Sequence, residues 1–208
     1  MKHPAFSGTL LIITLVFANI FWFATFYLTF STFWIKIGFS TFILAALSLW
    51  IKPIRKNKFH VNAKTLVFGL VSAAVLYLIF WAGKEFSSAI FPFAGHQIGS
   101  IYSKGKDVPL WIVFLLLFFI TGPCEELYWR GFLQSELMKR FGSRNGWLLT
   151  TLLYSGVHIW SFNFMLIGAA FVAGAFWGAM YWRTGNLLPV IISHSLWSAF
   201  IFAVIPLS

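Results

Sequence analysis

The chain has 208 residues, of which 60% are hydrophobic and 21% aromatic, and only 10% carry a charge. A content of 26 Phe and 11 Trp, spread over apolar stretches long enough to cross a bilayer as helices, excludes an ordinary soluble domain and indicates a polytopic membrane protein. The formal net charge of +10 is not accompanied by an RNA- or DNA-reading motif, so it predicts contact with anionic lipid rather than binding of nucleic acid.

Seven apolar stretches follow one another along the chain, each close to the roughly 20 residues that a helix needs to cross the bilayer core. Helices are predicted because lipid leaves only helices or closed barrels as spanning structures, and these stretches are too long for strands. The predicted spans are Gly8–Leu28, Ser31–Ile51, Thr65–Gly83, Pro109–Leu133, Trp147–Phe164, Met165–Trp182 and Leu187–Leu207. The predicted fold class is therefore all-α, a membrane bundle of about seven helices.

The segments outside these spans are short. The longest, Lys84–Val108, contains Pro92 and several glycines and is predicted to be a loop or an interfacial cap. The first apolar stretch is far longer than the about 7–15 residues of a secretory signal and lacks a small-residue cleavage site, so we expect a retained membrane helix. Because no soluble segment remains, residues 1–208 are predicted to form a single membrane-embedded domain.

Basic residues predict the orientation, because cytoplasmic loops of membrane proteins are enriched in Lys and Arg. With the N-terminus inside, ten of the 15 basic residues fall in cytoplasmic segments and three fall outside. The ten are Lys2, Lys52, Arg55, Lys56, Lys58, Lys64, Lys139, Arg140, Arg144 and Arg183, and the three are Lys84, Lys104 and Lys106. We therefore expect a multi-pass protein of the cell (inner) membrane with a cytoplasmic N-terminus.

Two adjacent carboxylates and an arginine lie inside the fourth predicted span, at Glu125, Glu126 and Arg130. Each ionisable side chain at bilayer depth costs roughly 2.5–3.5 kcal/mol on insertion scales, so such residues usually pair, face a polar cavity or do chemistry. Glu126 and Arg130 are four residues apart and share a helix face, whereas Glu125 is turned by about 100° from Glu126. The spacing predicts a buried Glu126–Arg130 pair that leaves Glu125 facing a cavity.

Two histidines also lie within predicted spans. A rise of 1.5 Å per residue puts Glu125 roughly 24 Å from the outer end of its span, and puts His158 and His194 roughly 16 Å and 10 Å from the cytoplasmic ends of theirs. The three side chains are therefore predicted to converge in the cytoplasmic half of the membrane. A carboxylate beside imidazoles is typical of a hydrolytic site, in which the carboxylate acts as general base for water. The alternative is a buried charge network that only fastens helices together.

Three motifs contain these residues: Glu125-Glu126-x-x-x-Arg130, Tyr154-x-x-x-His158 and His194-x-x-x-Ser198. They resemble the motifs of the CPBP family of intramembrane proteases, which includes type II CAAX prenyl endopeptidases and bacteriocin-processing enzymes. The resemblance covers residues from about Leu110 to the C-terminus, so 109–208 is expected to be the protease core, whereas 1–83 carries no motif. It implies an all-helical membrane fold with a site near the cytoplasmic leaflet.

The resemblance also implies a role for each motif residue. Glu125 would activate a water molecule for attack on a peptide bond, and His158 would orient that water. His194 and Ser198 would stabilise the oxyanion by hydrogen bonding, and the acidic–arginine pair would brace the site. Two positions depart from the family's usual residues, because Tyr154 stands where Phe is common and Ser198 stands where Asn or Asp is common. A serine can donate from the same helix face as His194, although its side chain is shorter than an amide.

Glu and His side chains also bind zinc. The chain has no His-Glu-x-x-His motif, and the resemblance implies a glutamate-dependent mechanism without metal, so no cofactor is predicted and zinc is the less favoured alternative. The implied substrate is a membrane-anchored protein or peptide, such as a prenylated tail, a double-glycine leader or the C-terminal anchor of a surface protein. A non-catalytic membrane scaffold or ligand-binding protein that keeps the charged cluster is the alternative function.

Overall fold

A computed structural model describes residues 8–104 and 108–207. These residues contain eight helices and no strand, so the predicted all-α membrane bundle is confirmed. The helices are α1 (Gly8–Phe26), α2 (Phe33–Ile51), α3 (Ala63–Ile90), α4 (Ala94–Ser103), α5 (Leu110–Phe141), α6 (Ser143–Val157), α7 (Phe164–Thr184) and α8 (Leu188–Ala203). Short 3-10 turns cover Lys56–Lys58 and His158–Ser161.

Five of these helices, α1, α2, α3, α5 and α7, are long and apolar enough to cross a membrane. The predicted count of seven spans is therefore approximate. α8 has 16 residues and α6 has 15, both shorter than a typical span of roughly 20 residues. The predicted span Trp147–Phe164 is interrupted, because the 3-10 turn follows Val157 and Phe162 adopts a left-handed backbone with φ of 50°.

The segment Lys84–Val108, predicted as a loop or cap, is mostly helical, so the loop prediction was wrong. α3 continues to Ile90 and ends where Phe91 is extended, as expected for the residue before Pro92. α4 then packs against the start of α7, because the Asn163 side-chain amide donates to the Gln97 carbonyl at 2.8 Å and the Met165 N–H donates to Gln97 Oε1 at 3.0 Å. Residues 105–107 of the predicted loop lie outside the described residues.

Two clusters of buried apolar side chains form the core. One joins α1, α2, α5 and α6 and includes Trp22 and Trp129. The other joins α3, α7 and α8 and includes Trp177 and Val190. Apolar area removed from water does not drive this packing in lipid, so close contact and polar contacts between helices matter more. The predicted site residues lie where the two clusters meet.

α5 is not a regular helix near its charged residues. A π-helical turn covers Leu117–Thr121, a short α-helical segment covers Gly122–Glu126, and a second π-helical turn covers Leu127–Gln134. Such turns insert an extra residue into the helical repeat and are common at functional sites. The segment between them therefore presents Glu125 and Glu126 in directions that a continuous α-helix would not.

Candidate active site

Three helices bring the predicted site residues together. α5 supplies Glu125, and α8 supplies His194 and Ser198, while His158 follows the last residue of α6. All four side chains are at most 9% exposed, and all line one cavity of about 440 Å³. Most other residues that line the cavity are apolar or aromatic, so the polar groups form a small cluster within a largely apolar surface.

The Glu126–Arg130 pair expected from the spacing is present and fully buried. Arg130 Nη1 donates to Glu126 Oε1 at 2.8 Å, and His194 Nδ1 lies 2.7 Å from the same oxygen. The His194 ring stacks on Trp177 with a centroid separation of 3.7 Å. The carboxylate thus binds both the arginine and the histidine, and it sets the orientation of the His194 ring with Nδ1 as the donor.

Arg130 and Gln134 anchor α5 to the backbone of α7. Arg130 Nη2 donates to the Gly174 carbonyl at 3.2 Å, and Gln134 Nε2 donates to the Gly178 carbonyl at 2.8 Å. A Cβ at Gly174 would lie 2.9 Å from the ring of Tyr154, so glycine at this position allows the close approach of α6 to α7. Gln134 was not among the predicted site residues, although its position four residues after Arg130 on the same helix face was a usable signal.

A second close approach joins α5 to α8. A Cβ at Gly122 would lie 2.6 Å from Ser195 Oγ and 2.9 Å from Ser195 Cα. Because backbone atoms cannot move away as a flexible side chain can, this position requires glycine. The contact brings the turn before Glu125 against the helix that carries His194.

Tyr154 contacts both Glu125 and His158. Its hydroxyl donates to Glu125 Oε2 at 2.8 Å, and its backbone carbonyl lies 2.8 Å from His158 Nδ1. A phenylalanine, the residue more usual at this position, could not form the first of these bonds. The departure noted in the sequence therefore adds a hydrogen-bond donor to the carboxylate of Glu125.

His158 is held at both ring nitrogens. Since a carbonyl can only accept, Nδ1 carries the proton and donates to the Tyr154 carbonyl. The indole N–H of Trp22 donates to Nε2 at 3.3 Å. Trp22 lies on α1 and is 1% exposed. Trp22 was not predicted as a site residue, because nothing in the sequence distinguishes this tryptophan from the other aromatic residues of an apolar span.

Among residues 8–104 and 108–207, no three His, Cys, Asp or Glu side chains group closely enough to hold a metal ion. Glu126 Oε1 already contacts Arg130 and His194, which removes one carboxylate oxygen from the donors that zinc would need. A reaction without metal remains a prediction.

Residues 107–200 match the family model described as Rce1-like type II CAAX prenyl endopeptidase. The match confirms the resemblance that the motifs carry, and it covers slightly less than half of the chain. The family supports peptidase activity, a lipid environment and a membrane-associated peptide as substrate. The corresponding comparisons with curated proteins and with solved structures return no match.

Proposed function

We propose that the protein is an intramembrane glutamic endopeptidase that hydrolyses a peptide bond of a membrane-associated protein through a water molecule activated by Glu125. The observation that carries the proposal is the convergence of Glu125, His158, His194 and Ser198 on one buried, largely apolar cavity. The family match over 107–200 supports the same class of reaction.

Glu125 is the proposed general base. Tyr154 holds its Oε2 oxygen, which restricts rotation of the carboxylate while the residue still faces the cavity. A carboxylate accepts a proton from water as the water oxygen attacks the peptide carbon, and the resulting acid can then give that proton to the leaving amine. One residue thus serves both proton transfers of the hydrolysis.

His158 is proposed to orient the attacking water through Nε2. With its proton on Nδ1, the neutral ring offers Nε2 as an acceptor for one hydrogen of the water. Trp22 binds that atom in the structure, at a distance slightly longer than the usual range for N–H donors. Water must therefore replace the indole N–H, or share the acceptor with it, before it is oriented.

His194 and Ser198 are proposed to stabilise the oxyanion. Glu126 accepts a hydrogen bond from His194 Nδ1, and donation to the negative oxygen requires the imidazolium form, in which Nδ1–H binds Glu126 and Nε2–H binds the oxyanion. Ser198 lies one helical turn further along α8 and lines the same cavity. Donors fixed in a water-poor site stabilise developing charge more strongly than the same donors in water.

The test is replacement of the proposed base by its amide. Glu125→Gln keeps the shape of the side chain but cannot accept the proton of water, so cleavage should fall by about 10²–10⁴-fold. The assay is a panel of membrane-anchored peptides with prenylated tails, double-glycine leaders or C-terminal anchors, measured with protein purified in detergent.

Glu85→Gln is the matched control, because the Glu85 side chain is 59% exposed and lies outside the cavity lining. This control should cleave at the parent rate. A Glu125→Gln variant that cleaves as fast as the parent would refute the mechanism. A parent that cleaves no member of the panel would favour the non-catalytic scaffold.

A further inference from the structure

Thr121 differs from the other buried threonines in the part of the chain that the structure describes. Those five hydroxyls all have a hydrogen-bond partner, which is a carbonyl three or four residues earlier for Thr14, Thr41, Thr150 and Thr151 and the Ser40 hydroxyl for Thr25. Thr121 is 4% exposed, and its Oγ1 has no partner among the described residues. A buried hydroxyl in this state is unfavourable unless a ligand or a solvent molecule binds it.

The backbone of α5 accounts for this unpaired hydroxyl. Thr121 is the last residue of the π-helical turn Leu117–Thr121. In a regular helix the Leu117 carbonyl would lie four residues before Thr121, where a threonine hydroxyl commonly donates. In this turn the same carbonyl accepts from the Gly122 N–H instead. The π-helical turn therefore leaves the Thr121 hydroxyl free of the backbone.

Thr121 lines the same cavity as the proposed catalytic groups. Glu125 follows it by four residues, so the two side chains lie on one face of α5 and are separated along the helix axis by roughly 6 Å. An extended peptide advances by roughly 3.3 Å per residue. The Thr121 hydroxyl is therefore about two residues along an extended substrate from the bond that the proposed base attacks.

The other hydroxyls of the cavity wall already have a contact or a proposed role. Tyr154 donates to the proposed base at 2.8 Å, and Ser87 donates to a carbonyl of its own helix at 3.1 Å. Tyr102 accepts from a backbone N–H at 3.1 Å, and Ser198 is the proposed oxyanion donor. Within the described part of the wall, Thr121 carries the hydroxyl that remains for another ligand.

A peptide bound in this cavity needs polar partners for its backbone. Its N–H and C=O groups lose water when they enter a largely apolar site, and each group left unpaired there is costly. A hydroxyl can donate to a peptide C=O or accept from a peptide N–H. We infer that Thr121 is a substrate-binding residue whose hydroxyl hydrogen-bonds a peptide group about two residues from the scissile bond. This inference rests on the proposed protease function and adds a binding residue to it.

Binding is measured without cleavage, in the Glu125→Gln background. Three fluorescent peptides are titrated in detergent: one with a prenylated tail, one with a double-glycine leader and one with a C-terminal anchor. Thr121→Val keeps the branched shape of the side chain but removes the hydroxyl, so it should raise Kd roughly two- to tenfold, the range for one neutral hydrogen bond. Thr121→Ser keeps the hydroxyl and should leave Kd unchanged.

Thr150→Val is the matched control for binding. Thr150 is similarly buried, but its hydroxyl donates to the Gly146 carbonyl at 2.7 Å and it lies outside the cavity lining. This variant should leave Kd unchanged. An equal Kd with and without Thr121→Val, or binding of none of the three peptides, would overturn the inference.

Thermal unfolding of the free protein separates a binding role from a structural one. Thr121→Val removes a buried hydroxyl that has no partner among the described residues, so the unfolding temperature should stay the same or rise. Thr150→Val removes a hydrogen bond and should not raise it. A fall in unfolding temperature for Thr121→Val as large as that for Thr150→Val would assign the hydroxyl to the structure and overturn the inference.

The peptide group is located with esters that replace one amide at a time along the peptide that binds. An ester removes the N–H and weakens the carbonyl as an acceptor. At one position the ester should weaken binding to Glu125→Gln yet have no effect when Thr121→Val is also present. Additive effects at every position would overturn the assignment to the peptide backbone.

These results are distinguishable from the fate of the protease proposal. An active enzyme whose Kd ignores Thr121→Val would refute this inference alone. A protein that binds peptides through Thr121 but cleaves none of them would refute proteolysis and keep Thr121 as a binding residue.

Discussion

The two halves of the chain contribute different kinds of group to one cavity. α5, α6 and α8 carry the carboxylates and histidines and lie almost wholly within the segment that matches the family. α1 to α4 lie outside that match, yet α1 supplies the indole that binds His158, and α2, α3 and α4 supply much of the apolar wall. The proposed reacting groups therefore lie in the matched half, whereas the unmatched half forms much of the wall that surrounds them.

The largest effect on stability is expected in the matched half, at the buried ion pair. Arg130→Ala leaves the Glu126 carboxylate buried beside His194 without its cation, and removing one partner of a buried pair costs roughly 3–5 kcal/mol. Thermal unfolding in detergent should show a clear loss. Arg183→Ala is the control, because Arg183 is exposed at the end of α7. Equal unfolding temperatures for parent and Arg130→Ala would contradict a bracing role.

Ser198 tests whether the matched half supplies both oxyanion donors. Loss of one such donor lowers turnover by about 10²–10³-fold, so Ser198→Ala should reduce kcat to that extent with little change in KM. Ser198→Asn, which restores the more usual residue, should retain or raise the rate. An alanine variant as fast as the parent would show that another donor acts. A slow parent that asparagine accelerates strongly would indicate a degenerate protease.

Tyr154→Phe removes the hydroxyl that binds Glu125 while keeping the aromatic ring against Gly174. A hydrogen bond to a charged group contributes about 1.5–3 kcal/mol, so we expect kcat to fall by roughly 10–100-fold. Tyr181→Phe is the control, since Tyr181 is equally buried but does not line the cavity. If phenylalanine supports the full rate, the hydroxyl is dispensable and the more usual residue is equivalent.

The smallest expected effect probes the unmatched half directly. Trp22→Phe removes the indole N–H and leaves His158 Nε2 without that donor. Because a neutral hydrogen bond contributes about 0.5–1.5 kcal/mol, kcat should change by roughly two- to tenfold. The nitrogen-15 chemical shift of His158 Nε2 should also move. Trp160→Phe is the control, since its buried indole N–H has no partner among the described residues. An unchanged nitrogen-15 shift would show that the Trp22 indole does not bind His158, so that α1 would only form part of the cavity wall.

Much of this arrangement was predictable because charge is rare in the chain. Glu125, Glu126 and Arg130 stand out in an apolar span, and their spacing alone predicted the buried pair that the structure contains. The helical class followed from the length of the apolar stretches.

The remaining features depend on contacts between residues distant in sequence. Trp22 was missed because its partner His158 lies 136 residues away. The bond from Gln134 to the Gly178 carbonyl also joins residues distant in sequence, although the spacing of Gln134 from Arg130 was a signal that the prediction left unused. The left-handed backbone of Phe162, which interrupts a predicted span, was not predicted either, since this conformation has no sequence signal at an aromatic residue. The helix α4 was not predicted, because the glycines near Pro92 suggested a loop. In the structure, contacts between Gln97 and the start of α7 stabilise the helix.

The π-helical turns of α5 make the spacing of residues as important as their identity. Each such turn accommodates one residue more than the α-helical repeat, and removing one residue from a helix rotates everything beyond it by about 100°. Deletion of any one of residues 127–129 would keep every motif residue in the sequence, yet it would turn Arg130 and Gln134 away from the carbonyls of α7 or turn Glu126 away from His194. Insertions and deletions in this helix therefore deserve the same scrutiny as substitutions when related chains are judged active or inactive.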